Sequence, residues 1–282
     1  MADDPEFLLP ALVELALKAG LIIMDVYRAD FEEIKKSDGS PVTVADHRAE
    51  ALILEGLTAL APGLAIIAEE EVAAGRTPAI GQSFFLVDPL DGTRDFLERH
   101  DGEFTVNIGL IEHGVPVAGV VYAPAIGDLY FGAKDKAWRQ QCDVTTAKPT
   151  GAKLPLRVQA GAEGMLRMLT SRRAKSDRLE AFTKALGPHQ HDRLSSSMKL
   201  CVIAAGEADL YPRFGQISEW DVAAGDAVLR AAGGGSCDAE GAPLLYGRTA
   251  PNFALDRGMV SYGGPITEQI VRHALKESMP AA

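Results

Sequence analysis

The sequence predicts an α/β protein made of an α+β half followed by an α/β half, with a cleft between them. From Phe104 to Trp138, short apolar runs are broken at His113-Gly114 and Gly127-Asp128, the mark of an antiparallel meander. Past Lys153, strand-like and helix-like segments alternate. The chain is 47% hydrophobic and 24% charged, so its 282 residues suffice to bury a core in one large domain or two modest ones.

Taken in order, Leu12, Leu15, Ala16 and Ala19 recur at helical spacing within the apolar-rich stretch from Leu8 to Met24, which predicts an amphipathic surface helix. Glu14 and Lys18 interrupt that stretch, and it is too short to span a bilayer. Ser37-Asp38-Gly39-Ser40-Pro41 reads as a turn. A second helix follows with Leu52, Ile53, Leu57 and Leu60 on one face, and Pro62-Gly63 stops it. Leu64 to Ala68 and Phe84 to Val87 are strand candidates. The first ends in Glu69-Glu70-Glu71, and the second runs straight into Asp88-Pro89-Leu90-Asp91-Gly92-Thr93. In the meander, Phe104, Val106, Ile108 and Leu110 alternate, Val115 to Tyr122 returns the chain, and Leu129 to Phe131 reverses it again. The polar stretch from Cys142 to Lys153 is the expected boundary, dividing residues 1–150 from residues 151–282.

Beyond it we expect a strand at Leu166 to Thr170, helices near Ser176 to Leu186 and Ser197 to Ala205, and a strand at Ala208 to Tyr211. A helix from about Asp221 to Ala232 is ended by Gly233-Gly234-Gly235. The last begins at Pro265, with Ile266, Ile270, Val271 and Ala274 facing inward.

Charge and cysteine usage narrow the function classes. Acidic residues outnumber basic ones by 39 to 28, a net charge of -11, which disfavours a nucleic-acid surface built on clustered Lys and Arg. A phosphorylated metabolite stays compatible, because bound cations supply the charge that side chains lack. Cys142, Cys201 and Cys237 are odd in number and widely spaced, which disfavours a disulfide framework or a zinc site and suits the cytoplasm. The acidic start MADDPEF is unlike the basic opening of a signal peptide.

The chemistry concentrates at Asp88–Thr93. Pro89 presets a turn whose ends lie within about 7 Å, so Asp88, Asp91 and the Leu90 carbonyl can converge on one point. Hard oxygens converging in this way suit Mg2+. Gly92 and Thr93 stand where a helix can start, and free N–H groups there can hold a phosphate. Glu69 reads either as a solvated edge or as a ligand reaching the same point from a neighbouring strand. Asp46 and Asp221 each open a helix, where capping alone explains a carboxylate. Lys199, Arg172 and Arg213 read as solvated charges or as phosphate contacts. His189-Gln190-His191 reads as a polar loop, and Trp138 and Trp220 as packing residues.

With Glu69-Glu70, the Asp88–Thr93 segment, Thr43-Val44-Ala45-Asp46 and Trp220-Asp221 running through small residues to Gly234, the chain resembles the inositol-monophosphatase-like superfamily along nearly its whole length. Phe104-Thr105-Val106-Asn107 after Asp101-Gly102-Glu103, Ser195-Ser196-Ser197-Met198-Lys199 and Ala208–Gly215 bring it nearest to the bacterial 3'(2'),5'-bisphosphate nucleotidases of sulfate assimilation, the CysQ type. It departs from that type at Ser171-Arg172-Arg173-Ala174, where Ala174 stands in place of a histidine, and at Ser195, which stands in place of a glycine.

The resemblance implies a layered αβαβα fold and a lithium-sensitive phosphatase. It implies that Glu69, Asp88, the Leu90 carbonyl, Asp91 and Asp221 hold two or three Mg2+ ions, with Asp46 and Thr93 activating a water and Glu70 in outer support. The same Glu69, Leu90, Asp91, Gly92, Thr93 and Asp221 would border the substrate's phosphate, and Arg172, Lys199 and Arg213 its remote part. The implied substrate is adenosine 3',5'-bisphosphate. Alternatives are inositol 1-phosphate, fructose 1,6-bisphosphate, or a catalytically silent metal- or nucleotide-binding regulator. We expect a monomer or homodimer in the cytoplasm, with attachment to the cytoplasmic side of the inner membrane left open.

Overall fold

The computed structural model describes residues 4–29, 34–35, 41–99, 102–159, 165–248 and 252–278. The first half runs α1 (Pro5–Arg28), β1 (Ile34–Lys35), β2 (Pro41–Val42), α2 (Val44–Leu60), β3 (Ala65–Ala68), α3 (Glu69–Ala73), β4 (Ser83–Asp91) and α4 (Thr93–Leu97). Next come β5 (Thr105–Glu112), β6 (Val115–Ala123), β7 (Asp128–Ala133), β8 (Lys136–Cys142) and β9 (Pro149–Pro155). The second half runs β10 (Leu166–Thr170), α5 (Asp177–Leu186), β11 (His189–Arg193), α6 (Met198–Ala204), β12 (Leu210–Arg213), β13 (Ile217–Ser218) and α7 (Glu219–Ala231). It closes with β14 (Gly235–Asp238), β15 (Ala254–Leu255), β16 (Met259–Tyr262) and α8 (Pro265–Glu277).

Two sheets organise these elements. The larger has the order β3-β4-β5-β6-β7-β8-β9, with β3 parallel to β4 and every later neighbour antiparallel. The smaller has the order β11-β10-β12-β16-β14 and is mixed: β10 runs parallel to both neighbours, and β16 antiparallel to both of its own. Helices α1 and α2 cover one face of the large sheet, α6 and α7 fill the space between the sheets, and α5 and α8 cover the far face of the small sheet. The result is the five-layer αβαβα order, with three apolar cores. Each core encloses one buried cysteine: Cys142 the first, Cys201 the middle and Cys237 the last.

Helix α1 starts where Asp4 accepts the Glu6 N–H at 3.0 Å and Pro5 presets the first turn. Leu12, Ala16, Ala19 and Ile23 are fully buried against α2 and the sheet. At 24 residues the helix is longer than the sequence suggested and is long and apolar enough to cross a membrane by length and composition; 44% of its most apolar window is buried inside the protein. In α2 the inward face carries Ala49, Ile53 and Leu57 but also Asp46 and Glu50.

α7 lies across the strands of the large sheet on a lane of small residues. Gly109, Gly119 and Gly132 are in register on β5, β6 and β7. A Cβ at Gly109 would lie 3.1 Å from the Ala224 nitrogen, one at Gly119 2.8 Å from the Ala227 Cβ, and one at Gly132 3.0 Å from the Ala231 Cβ. The helix therefore rests closer to the sheet than a side chain at Gly119 would permit, and a Cβ at Gly109 or Gly132 would fit only tightly.

Several expectations are corrected. Asp88–Thr93 is not a free turn: pairing continues from Asp88↔Asn107 to Asp91↔Thr105 across a bulge, in which Pro89 and Leu90 together stand opposite the single residue Val106. Residues 149–153 of the expected boundary segment belong to β9, the exposed seventh strand of the large sheet. His189-Gln190-His191 is in strand β11 rather than a loop, because β10 offers it an open edge. Ile266 is 47% exposed, because the inward face of α8 runs through Thr267, Val271, Ala274 and Leu275 and Ile266 lies off it. Ser37–Ser40 and Asp101 lie outside the described residues.

Candidate active site

The bulge at the end of β4 and the start of α7 meet between the two sheets. There one carboxylate oxygen from each of Asp88, Asp91 and Asp221 lies within 4.8 Å of the others. Asp88 is buried and its Oδ1 accepts the Leu90 N–H at 2.9 Å, which turns the Leu90 peptide around the carboxylate. Gly92 follows with φ +89°, a left-handed conformation that ends the strand and starts α4. Burial, and then the charges of Glu69, Asp91 and Asp221, push the Asp88 carboxyl well above its ordinary value. Asp221 is raised by burial and by Asp91 and Glu69. Asp91 is raised by burial, with Lys199 opposing. Three acids in mutual repulsion, all offering hard oxygens, fit a divalent cation of the Mg2+ type.

Asp46 and Asp221 share a local design. Each is the third residue of its helix in a capping box, so one carboxylate oxygen is fixed by the backbone. Asp46 Oδ2 accepts from the Thr43 N–H at 2.7 Å and from Thr43 Oγ1 at 2.8 Å. Its Oδ1 lies 3.3 Å from Thr93 Oγ1, which is also 3.1 Å from the Leu90 carbonyl. Thr93 has one proton to donate, so a hydroxyl placed there serves either acceptor. Burial pushes the Asp46 carboxyl up to about 6. Asp221 Oδ2 accepts the Ser218 N–H at 3.2 Å. Capping and a role in a site are therefore compatible at both positions, because the cap engages one oxygen of each carboxylate.

Glu69 opens α3 beside the cluster. It is not among the three acids within 4.8 Å, yet its charge acts on Asp46, Asp88, Asp91 and Asp221. Glu70 is buried behind it. The sequence reading missed Glu50, whose Oε2 accepts the Glu70 N–H at 2.9 Å and whose carboxyl is pushed up to about 7 by burial, with the charges of Glu70, Glu71 and Glu69 adding to it. Its signal was available: Glu50 stands one helical turn after Asp46 on the apolar face of α2.

From the second half, Ser197 Oγ reaches the Asp221 carbonyl at 2.6 Å and Asp91 Oδ2 at 3.2 Å, while accepting from Asn107 Nδ2 at 2.9 Å. A cavity of about 210 Å³ opens beside Asp91 and Asp221, and Lys199, Tyr211, Arg213 and Ser196 line its far side. Lys199 is buried with its ammonium 4.9 Å from the Tyr211 ring centre, and burial lowers it to about 8. Arg213 Nε is buried with no hydrogen-bond partner among the described residues. Arg172 is not in this lining. It pairs with Glu103 at 2.9 Å and lies 3.8 Å from Asp95. Arg173 is exposed and pairs with Glu98 at 3.0 Å.

Among known proteins, the chain is 43% identical over 242 residues to the 3'(2'),5'-bisphosphate nucleotidase CysQ of Salmonella typhimurium, covering 85% of this chain and 94% of that one. It is 41% identical to the CysQ of Escherichia coli K12 over the same extent. The crystal structure of CysQ from Bacteroides thetaiotaomicron superposes with a TM-score of 0.74 at 32% identity, covering 90% of this chain and 96% of that one. An inositol monophosphatase from Anabaena superposes with a TM-score of 0.71 at 26% identity, covering 96% of both chains. The sequence pattern of one family runs over residues 4–273, from the N-cap of α1 into α8, and so takes in both sheets and every acid of the cluster: the chain belongs to the inositol monophosphatase family.

Proposed function

We propose that this protein is a Mg2+-dependent phosphomonoesterase that hydrolyses adenosine 3',5'-bisphosphate to AMP and phosphate. The observation that carries the reading is the meeting of Asp88, Asp91 and Asp221 within 4.8 Å, next to the Asp46–Thr93 pair. The CysQ relatives at 43% and 41% identity support the nucleotide as substrate.

In this reading Glu69, Asp88, the Leu90 carbonyl, Asp91 and Asp221 hold two or three Mg2+ ions, which when bound neutralise and polarise the phosphate. The attacking water donates to Thr93 Oγ1, and Asp46 draws its proton by way of the threonine hydroxyl, which lies 3.3 Å from Asp46 Oδ1. The Gly92 and Thr93 N–H groups face the phosphate. Glu70 supports the ligands from outside. Lys199 and Arg213 take the remote phosphate across the cavity, while Arg172 takes part only by leaving Glu103 and Asp95. Residues 1–150 supply most of the ligands, and residues 151–282 supply Asp221 and the selective wall. The reading includes Li+ inhibition, a monomer or homodimer, and a cytoplasmic location. Attachment to a membrane finds no support in α1, whose buried face is committed to α2 and the sheet.

A kinetic panel with Mg2+ tests the substrate. We expect kcat/KM for adenosine 3',5'-bisphosphate to exceed that for inositol 1-phosphate by at least about tenfold, or roughly 1.4 kcal/mol of transition-state discrimination. Equal turnover of inositol or fructose phosphates would remove the nucleotide assignment and leave the phosphatase.

A further inference from the structure

We propose that Glu50 is a positioning residue: it caps α3 from the neighbouring helix and so holds Glu69 beside the acidic cluster. The inference rests on Glu69 being a metal ligand, as proposed above.

A helix start exposes N–H groups that need acceptors. α3 does not supply its own, because its N-cap is Ala68, which makes no side-chain capping bond. At five residues it is also far too short to persist by propensity. The acceptor comes from α2: Glu50 Oε2 lies 2.9 Å from the Glu70 nitrogen. That bond fixes the peptide immediately after Glu69, hence the direction in which Glu69 leaves β3. The same helix face carries Asp46 one turn earlier, so α2 sets the water-positioning acid and the first turn of α3 together.

Space filling does not account for the residue. Glu50 is only 3% exposed and faces the charges of Glu69, Glu70 and Glu71, an environment that penalises a carboxylate. A leucine would occupy the volume without that penalty. What leucine lacks is the acceptor.

The test compares Glu50→Gln with Glu50→Leu in the full chain, using direct Mn2+ binding by calorimetry or electron paramagnetic resonance beside activity. Glutamine keeps an acceptor oxygen at the same reach, whereas leucine keeps the volume alone. We expect Glu50→Leu to weaken Mn2+ binding by at least about tenfold and Glu50→Gln to stay within about threefold of the parent, the range seen when outer residues orient ligands. The half-saturating Mg2+ concentration for turnover should rise in parallel, with most of kcat recovered at saturation. Circular dichroism and metal-free melting confirm that both variants fold. Parental Mn2+ affinity in Glu50→Leu would overturn the proposal, as would a Gln variant as weak as the Leu variant. A parent chain that bound no Mn2+ would instead overturn the metal reading itself, and this inference with it.

Discussion

Asp221 enters the cluster with one oxygen already committed to the Ser218 N–H, and this shapes what its replacement should do. Asp221→Asn keeps an acceptor for the cap and nearly the same volume, but removes one negative charge from a site where three acids repel. We expect kcat to fall at least about a hundredfold, the scale of one strong electrostatic contributor. The metal-free protein should meanwhile melt at a higher temperature, because the repulsion is relieved. Near-normal turnover in a folded variant would remove Asp221 from the site. The pH dependence follows from Asp46 and Glu50, whose folded values of about 6 and about 7 lie above their ordinary ones. Both acids hold protons more tightly when folded. The stability this lends is complete below their unfolded values and is lost as pH rises through the folded ones. The melting temperature of the metal-free protein should therefore fall between about pH 4 and 7, and Glu50→Gln should flatten the upper part of that fall. At this scale the sequence was legible where acids stood in a dense local pattern, as in Asp88–Asp91. It read Arg172 as a solvated charge or a phosphate contact and did not show its ion pair with Glu103, because that pairing joins residues far apart in the chain.

Among the elements, helices were read well because a 3.6-residue period or a cap marks them locally: the helix expected near Ser176 to Leu186 is α5, and Ser176 caps it. The edge strands were not. β9 and β11 are polar and exposed, and what makes them strands is a neighbour with open hydrogen bonds rather than any alternation of their own. The glycine lane is a similar case, since Gly109, Gly119 and Gly132 are meaningless singly and become a surface only once β5, β6 and β7 pair. It sets how near α7 lies to the sheet, and α7 brings Asp221. A Cβ at Gly119 collides with the Ala224 carbonyl, a backbone atom that moves only if the helix moves. Gly119→Ala should cost about 1–3 kcal/mol by overpacking, read in denaturant unfolding. It should also raise the metal concentration needed for turnover, by displacing Asp221 from Asp88 and Asp91. A stability loss with unchanged metal dependence would show that the lane supports the fold without setting the site.

Across the whole molecule, the acids of the site arrive from both halves: Asp88 and Asp91 from the large sheet, Asp221 from the helix leading into the small one. A cation bound among them joins the layers, so Mg2+ at about a hundred times its dissociation constant should add about 2.7 kcal/mol of stability, seen as a rise in melting temperature that chelation reverses. Five layers and two sheet orders were beyond local pattern, because strand neighbours such as β12 and β16 are separated by α7 and β14 in the chain. The resemblance to a family supplied the layering that periodicity could not. The three cysteines take on an unplanned use from this architecture. One lies in each apolar core, and burial pushes the thiols up, Cys142 to about 11 and Cys237 to about 12, so the native chain presents almost no reactive thiolate. A thiol-modifying reagent added during unfolding would then label Cys142, Cys201 and Cys237 only as their own layers open. Peptide mapping of the label against time would act as three separate clocks, reading whether the sandwich comes apart in one event or sheds its outer layers first.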